Sequence, residues 1–194
     1  AFNWAPVING KTLIYEVTSE DQSISIPVSA TDMDNDPLTW SIDAPSTGSA
    51  SLTSSENSAA LLYTPPTNYF GEISFTLSVS DGHSQASVTI VIQVMNTNDL
   101  PQFTSPVTFS GEEKVDSILT ASAACTDVID NNTATSITYE WYSDTDAVGR
   151  DGALRANGTS YTINENDEGR FIYSIAECDD GYGGLVFDTT AYST

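Results

Sequence analysis

The sequence predicts an all-β chain of two tandem β-sandwich domains, and three observations carry that expectation. Apolar residues recur with period two in short β-branched runs; Asp, Gly, Asn and Pro separate those runs; and an Asn-x-x-Pro motif at the start returns in the middle. Alternation of this kind gives a strand one apolar face and one polar face, and many short strands with turns between them pack as sandwiches.

Along the first half, Ser23–Val28, Ile73–Val79 and Val88–Val94 read as strands. Along the second, Asp116–Ala121, Ile137–Tyr142, Ser160–Ile163 and Phe171–Ile175 read the same way, and no stretch carries convincing helical periodicity. Trp40, Tyr63, Phe75 and Trp141 fall at inward-compatible positions and are expected in the cores. Asn3-Trp4-Ala5-Pro6 parallels Asn98-Asp99-Leu100-Pro101, as in an array of sandwiches cut at its linkers. The domains are accordingly placed at 1–100 and 101–194.

Charge excludes some partners. The chain has 27 acidic and 5 basic side chains, a net charge of −22, which disfavours a phosphate backbone and an anionic membrane surface. The acids lie in short clusters without a block of five or six, so a disordered acidic tail is not expected. No run of 18 apolar residues and no leader-like start occur, so direct membrane insertion is not expected, and the chain is read as a monomeric piece of a longer one.

The acids themselves are patterned. Asp32-x-Asp34-x-Asp36 and Asn96-x-Asn98-Asp99-x-Pro101 set carboxylate and amide oxygens close together along the chain, where they repel unless a hard cation sits among them. Calcium takes six to eight such oxygens. An EF-hand is excluded, because Pro37 stands where that loop needs Gly. Cys125 and Cys178 suit one disulfide in an oxidising compartment, with two buried thiols as the alternative. If they bond, the bridge gathers Asp127, Asp130, Asp179 and Asp180 at one end of the second domain, where their repulsion raises carboxyl pKa values or binds a cation.

Along residues 1–100 stand, in order, Ser19-Glu20-Asp21, the stretch SATDMDNDPLTWSI, Tyr63 to Gly71, SVSDG ending at Gly82, and NTNDLP. In this combination of motifs the first domain resembles the cadherin-like repeats of large bacterial calcium-dependent (RTX-type) surface adhesins. Residues 101–194 are similar to the Ig-like repeats found beside them, through Glu113 to Ala121, Tyr139 and Trp141, Tyr161 to Ile163, Asp167 and Gly169, and Asp179 to Gly181. The resemblance implies calcium at the domain junctions, with Glu20, Asn96, Asn98 and Asp99 meeting acids of the second domain. It implies that Asp32, Asp34 and Asp36, with Asp81 of SVSDG, hold an ion locally or face a preceding domain. Trp4 stands where that pattern has the linker Asp, at the place of Asp99.

The segment from Asp144 to Arg155 is longer than the usual hairpin. Asp144, Asp146 and Asp151 fold around an ion there or form a polar loop, and Arg150 and Arg155, among few cations, favour a ligand site. Tyr182, between glycines, is a candidate exposed contact. Catalysis finds no motif: His83 lies in a turn, and no nucleophile elbow, zinc helix or phosphate loop occurs. The expected partners are calcium and a protein, peptide or glycan on a host or neighbouring cell surface, outside the bacterial cell. Three roles stand open: a calcium-dependent adhesion segment acting in biofilm or host contact, a purely structural spacer, and a non-catalytic accessory module of a secreted carbohydrate-active enzyme.

Overall fold

The computed structural model describes residues 2–9, 11–127, 129 and 135–192. It is all-β and divides into two compact units, Ala1–Thr97 and Asn98–Thr194. The division falls three residues before the one read from the sequence, because Asn98 already bonds within the second unit through its side-chain amide. Asp130 lies outside the described residues. No described helix is long and apolar enough to cross a membrane.

Unit 1 contains β1 (Val7–Ile8), β2 (Leu13–Ser19), β3 (Ile24–Thr31), β4 (Thr39–Ile42), β5 (Ser49–Ser54), β6 (Ser58–Thr64), β7 (Gly71–Ser80) and β8 (Gln85–Met95). They form two four-stranded sheets, ordered β1-β3-β6-β5 and β2-β8-β7-β4. Their ladders are antiparallel except that of β2 with β8, which runs parallel from Leu13 opposite Thr89 to Ser19 opposite Met95. Alternation decides which face turns inward. Ile73, Phe75, Leu77 and Val79 of β7 meet Val88, Ile90, Ile92 and Val94 of β8, all buried, against Ile26, Val28, Leu61 and Tyr63 of the facing sheet. Trp40 and Phe75 are buried as the sequence predicts.

Unit 2 contains β9 (Gln102–Ser110), β10 (Ile118–Thr126), β11 (Ser136–Asp144), β12 (Ala153–Asn157), β13 (Ser160–Thr162), β14 (Phe171–Asp179) and β15 (Leu185–Thr189), with one 3-10 turn at Glu165–Asp167. A three-stranded sheet, β13-β10-β9, faces a four-stranded one, β12-β11-β14-β15. Trp141 is fully buried between them, stacked on Tyr161 and bonded through its indole N–H to the Gly158 carbonyl at 2.9 Å. Cys125 of β10 and Cys178 of β14 are disulfide-bonded. Each is the last residue but one of its strand, so the bridge staples the two sheets at one end and leaves the middle of the core to Trp141.

Arg155 of β12 turns inward. Its Nε donates to Ser143 Oγ at 2.6 Å and pairs with Asp167 Oδ1 at 3.4 Å, while Tyr161 donates its hydroxyl to Asp167 Oδ2. Burial and that bond to Asp167 push the Tyr161 phenol up to about 12. This network ties the 3-10 turn to three strands. It also removes Arg155 from the surface loop in which the sequence placed it as a ligand contact.

Two outcomes are expected in denaturant unfolding of the full chain. Reducing the disulfide, which spans a separation of 53 residues, lowers the stability of unit 2 by about 4 kcal/mol on the chain-entropy account. A change under about 1 kcal/mol would contradict the staple. Arg155→Ala strands the buried Asp167 and costs about 3 kcal/mol; an effect within about 0.5 kcal/mol, as at ordinary surface sites, would return Arg155 to the surface.

Candidate metal sites at the strand ends

Each unit opens with the same device. In unit 1 the Asn3 side-chain amide donates to Asp81 Oδ2 at 3.0 Å, and Asp81 Oδ1 accepts from the His83 and Ser84 N–H groups. In unit 2 the Asn98 amide donates to Asp180 Oδ2 at 2.7 Å, and Asp180 Oδ1 accepts from the Tyr182 and Gly184 N–H groups. Asp81 follows β7 and Asp180 follows β14, so both cap the turn into the next strand. At Gly184 the backbone runs so close to the Asp180 carboxylate that a Cβ has no room, which accounts for glycine there.

The electrostatics follow from these donors. For Asp81, the Ser84 N–H lowers the carboxyl pKa against burial, helped by His83 and Asn3. For Asp180, burial pushes upward, but the Asn98 amide and the N–H groups of Tyr182, Gly184 and Gly183 together outweigh it. Both aspartates are held as anions. Asn3 was not singled out as a site residue; its signal was the Asn-x-x-Pro spacing it shares with Asn98.

At the opening end of unit 1, Asp32, Asp34 and Asp36 bring one carboxylate oxygen each within 4.8 Å of one another. Asp32 Oδ1 accepts from the Asp34 and Asp36 N–H groups at 2.9 and 3.1 Å, and its Oδ2 is shielded from solvent with no hydrogen-bond partner among the described residues. Asp34 Oδ2 takes the Trp4 N–H at 2.7 Å. The backbone of Trp4 thus supplies a donor where the adhesin pattern has a linker carboxylate.

Glu20 follows β2 and is 2% exposed. Its Oε1 accepts from both the N–H and the hydroxyl of Thr97, the last residue of unit 1, whereas Oε2 has no hydrogen-bond partner among the described residues. Asn96 is exposed just past β8.

In unit 2, Asp127 is 3% exposed and neither oxygen has a hydrogen-bond partner among the described residues. It lines a cavity of about 30 Å³ with Leu100, Gln102, Thr126 and Ile129, room for a single ion or water. The disulfide fixes this end, since Asp127 and Asp180 each follow a bonded cysteine by two residues. Asp179 is half-buried, its Oδ1 accepting from the Gly181 N–H, and Asp99 is half-buried beside Asn98. A carboxylate buried without donors costs several kcal/mol unless a cation compensates it. Glu20, Asp32 and Asp127 therefore fit a hard cation in donor chemistry and in what their buried oxygens lack.

The remaining candidates separate. Asp144 is 6% exposed, while Asp146, Arg150 and Asp151 are exposed in the loop after it. Tyr182 is 65% exposed, in the turn that caps Asp180.

A model of the bacterial Ig domain family matches residues 3–93. No curated protein matches the sequence. Among solved structures, human protocadherin-24 EC1-2 is similar at 15% identity and a TM-score of 0.48, covering 98% of both chains. Titin domains Z1Z2 in complex with telethonin are similar at 14% identity and a TM-score of 0.41, with 98% of this chain and 96% of that one covered. An endo-fucoidan hydrolase from glycoside hydrolase family 107 is similar at 18% identity and a TM-score of 0.44, over 95% of this chain and 28% of that one. The chain spans little more than a quarter of the hydrolase, and likenesses at these TM-scores carry no argument about function.

Asn98→Ala tests the opening device in metal-free protein. The Asp180 pKa is expected to rise toward the ordinary carboxylate value, read by NMR titration of its side-chain carbon. Because the folded pKa is depressed, Asp180 contributes stability above the unfolded value near 3.8 that is lost as pH falls through the folded one. The acid limb of unit 2 unfolding should therefore flatten in the variant, and an unmoved pKa would discard the assignment.

Proposed function

We propose that this chain is a calcium-stiffened adhesion segment of an extracellular bacterial surface protein. The observation that carries the reading is Asp127, a carboxylate enclosed in the fold with no donor on either oxygen among the described residues. Asp180, Asn98 and Asp99 supply further oxygens in the same unit, with Asp179 beside them. In unit 1, Asp32, Asp34 and Asp36 form a second candidate group, and Glu20 offers a third buried oxygen. Calcium bound there would neutralise carboxylates whose repulsion otherwise works against the fold, in a chain carrying net charge −22. The match of residues 3–93 to a bacterial Ig domain family supports a non-catalytic repeat.

Within this reading, the Asn–Asp device at the opening of both units favours a spacer, because it is what a repeated module needs at every junction. The contact role, toward a peptide or glycan on another cell, is the stronger claim. An accessory module of a carbohydrate-active enzyme shares the same fold and is separated from it by the ligand found.

Calorimetric titration of chelator-treated protein with calcium, paired with thermal unfolding, tests the metal. Calcium at 100 times its Kd stabilises by about 2.7 kcal/mol per site, and Asp127→Asn should remove the increment belonging to unit 2. No heat and no shift in melting temperature would end the calcium reading. A screen of peptides and glycans against the loaded protein then divides the roles, a chelator-sensitive peptide hit supporting adhesion and a glycan hit in metal-free protein supporting the accessory module.

A further inference from the structure

We propose that strand β2 of unit 1 is a self-recognition edge, through which two copies of this chain pair antiparallel, β2 against β2, about a twofold axis at Tyr15. The inference does not rest on bound calcium. β2 ends the sheet β2-β8-β7-β4, and no described strand pairs with its other side. Such an edge carries a row of backbone N–H and C=O groups open to a further strand, and natural sheets blunt it with proline, bulges or charge. β2 has none of these defences on its outward face. It contains no proline, its register with β8 runs unbroken from Leu13 to Ser19, and its one charged residue, Glu16, falls on the same side as Ile14.

The outward face adds an apolar stripe. Leu13, Tyr15 and Val17 all lie on it and each is more than half exposed. Beside them on β8 stand Thr89, Val91 and Gln93, with Met95 opposite Ser19. Across the outward face of the whole sheet, the one charged side chain among the described residues is Glu72 of β7. A chain of net charge −22 repels its own copies, but at physiological salt charges more than about 8 Å apart are largely screened. What two copies meet is therefore decided at the edge itself, where apolar and hydroxyl side chains stand in place of acids.

Charge also selects direction and register. Lys11, the one lysine or arginine of unit 1, stands just before β2, and Asp21 stands just after it; both are exposed. Antiparallel pairing joins these opposite charges at both ends of the contact, whereas parallel pairing would set like against like. A twofold axis at Glu16 would oppose two carboxylates, which destabilises a strand pair. An axis at Tyr15 instead sets Leu13 of each copy opposite Val17 of the other, Glu16 opposite Ile14, and Lys11 opposite Ser19 and diagonal to Asp21. The contact closes on itself, because the sheet's other edge, β4, has four residues and offers little to extend a row of copies. Seven residues a side belong to the size class of transient contacts, below about 1,200 Å² in total, so the dimer forms at high protein concentration.

The test is sedimentation equilibrium of the full chain at physiological salt, over micromolar to millimolar concentration, with Tyr15→Glu beside the wild type. The wild type is expected to move from one copy toward two as concentration rises. Tyr15→Glu opposes two carboxylates at the axis and should weaken the dimer at least about tenfold, with the melting temperature unchanged because the side chain is exposed. Directly opposed residues of an antiparallel pair stand about 4.5 to 5.5 Å apart at Cα, within reach of a disulfide. With diamide as oxidant, Tyr15→Cys should therefore form a covalent dimer, while Ser74→Cys, at the middle of the same face on β7, should not. A wild type that stays monomeric at millimolar concentration would overturn the self-pairing and leave the edge to a strand of another protein. A dimer untouched by Tyr15→Glu, or equal crosslinking of the two cysteine variants, would place the contact on another surface and overturn it as well.

Discussion

The start of each unit depends on one hydrogen bond, from an asparagine amide near the chain's entry to an aspartate in a turn late in the same unit. Asn3 to Asp81 and Asn98 to Asp180 span nearly a whole unit in sequence, and each closes the fold on its own first residues. The aspartate has a second task, since its other oxygen caps the turn that reverses β7 into β8 or β14 into β15. A single carboxylate thus fixes both the entry of the chain and a hairpin turn, central to its sheet in unit 1 and at the sheet edge in unit 2. Its charge is well compensated by N–H donors, and the burden of uncompensated charge falls on neighbours such as Asp127.

That burden is large because cations are scarce. With 5 basic side chains against 27 acids, the described ion pair is spent inside unit 2, between Arg155 and Asp167. Backbone N–H groups do most of the remaining compensation: Asp32, Asp81, Asp144, Asp179 and Asp180 all accept from the backbone one to four residues ahead. Such turns satisfy one oxygen of a carboxylate; in Asp81 and Asp180 an asparagine amide takes the other, whereas Asp32 Oδ2 and Asp144 Oδ2 have no partner among the described residues. Repeated at the strand ends, they present anions already oriented for a cation and short of donors within the protein.

Much of the fold was legible because alternation survives in strands whose two faces differ. The runs read at Ser23–Val28, Ile73–Val79, Val88–Val94, Ile137–Tyr142 and Phe171–Ile175 all lie within or across observed strands, extended by one to four residues where hydrogen bonding outlasts the apolar pattern. Strand β2 was missed because Leu13, Tyr15 and Val17 point outward, so its apolar alternation gives no sign of the buried face, and its parallel partner is some 76 residues away. Strand β5 is a serine-rich edge with little apolar content. At the candidate sites, the acids and the cysteines could be named from sequence, but the destination of Arg155 could not. An arginine in an acid-rich chain has many possible partners, and only the fold brings the buried Asp167 to it.

Magnitudes reverse the order in which the acids first drew attention. The triple aspartate of residues 32 to 36 is the more conspicuous motif, yet two charges 4.8 Å apart in water repel by only about 1 kcal/mol and are further screened by salt. Only Asp34 of the three is exposed, and the part of the motif that the fold has closed over is Asp32 Oδ2. A carboxylate enclosed in the fold has no such relief: each unsatisfied oxygen costs about 1 to 3 kcal/mol, and more when charged. Among the described residues Asp127, one of four acids near the cysteines, leaves both of its oxygens in that state, and Glu20, Asp32 and Asp144 leave one each. The case for bound cations therefore rests less on where acids are dense than on where the fold has closed over them and the described residues provide no donor.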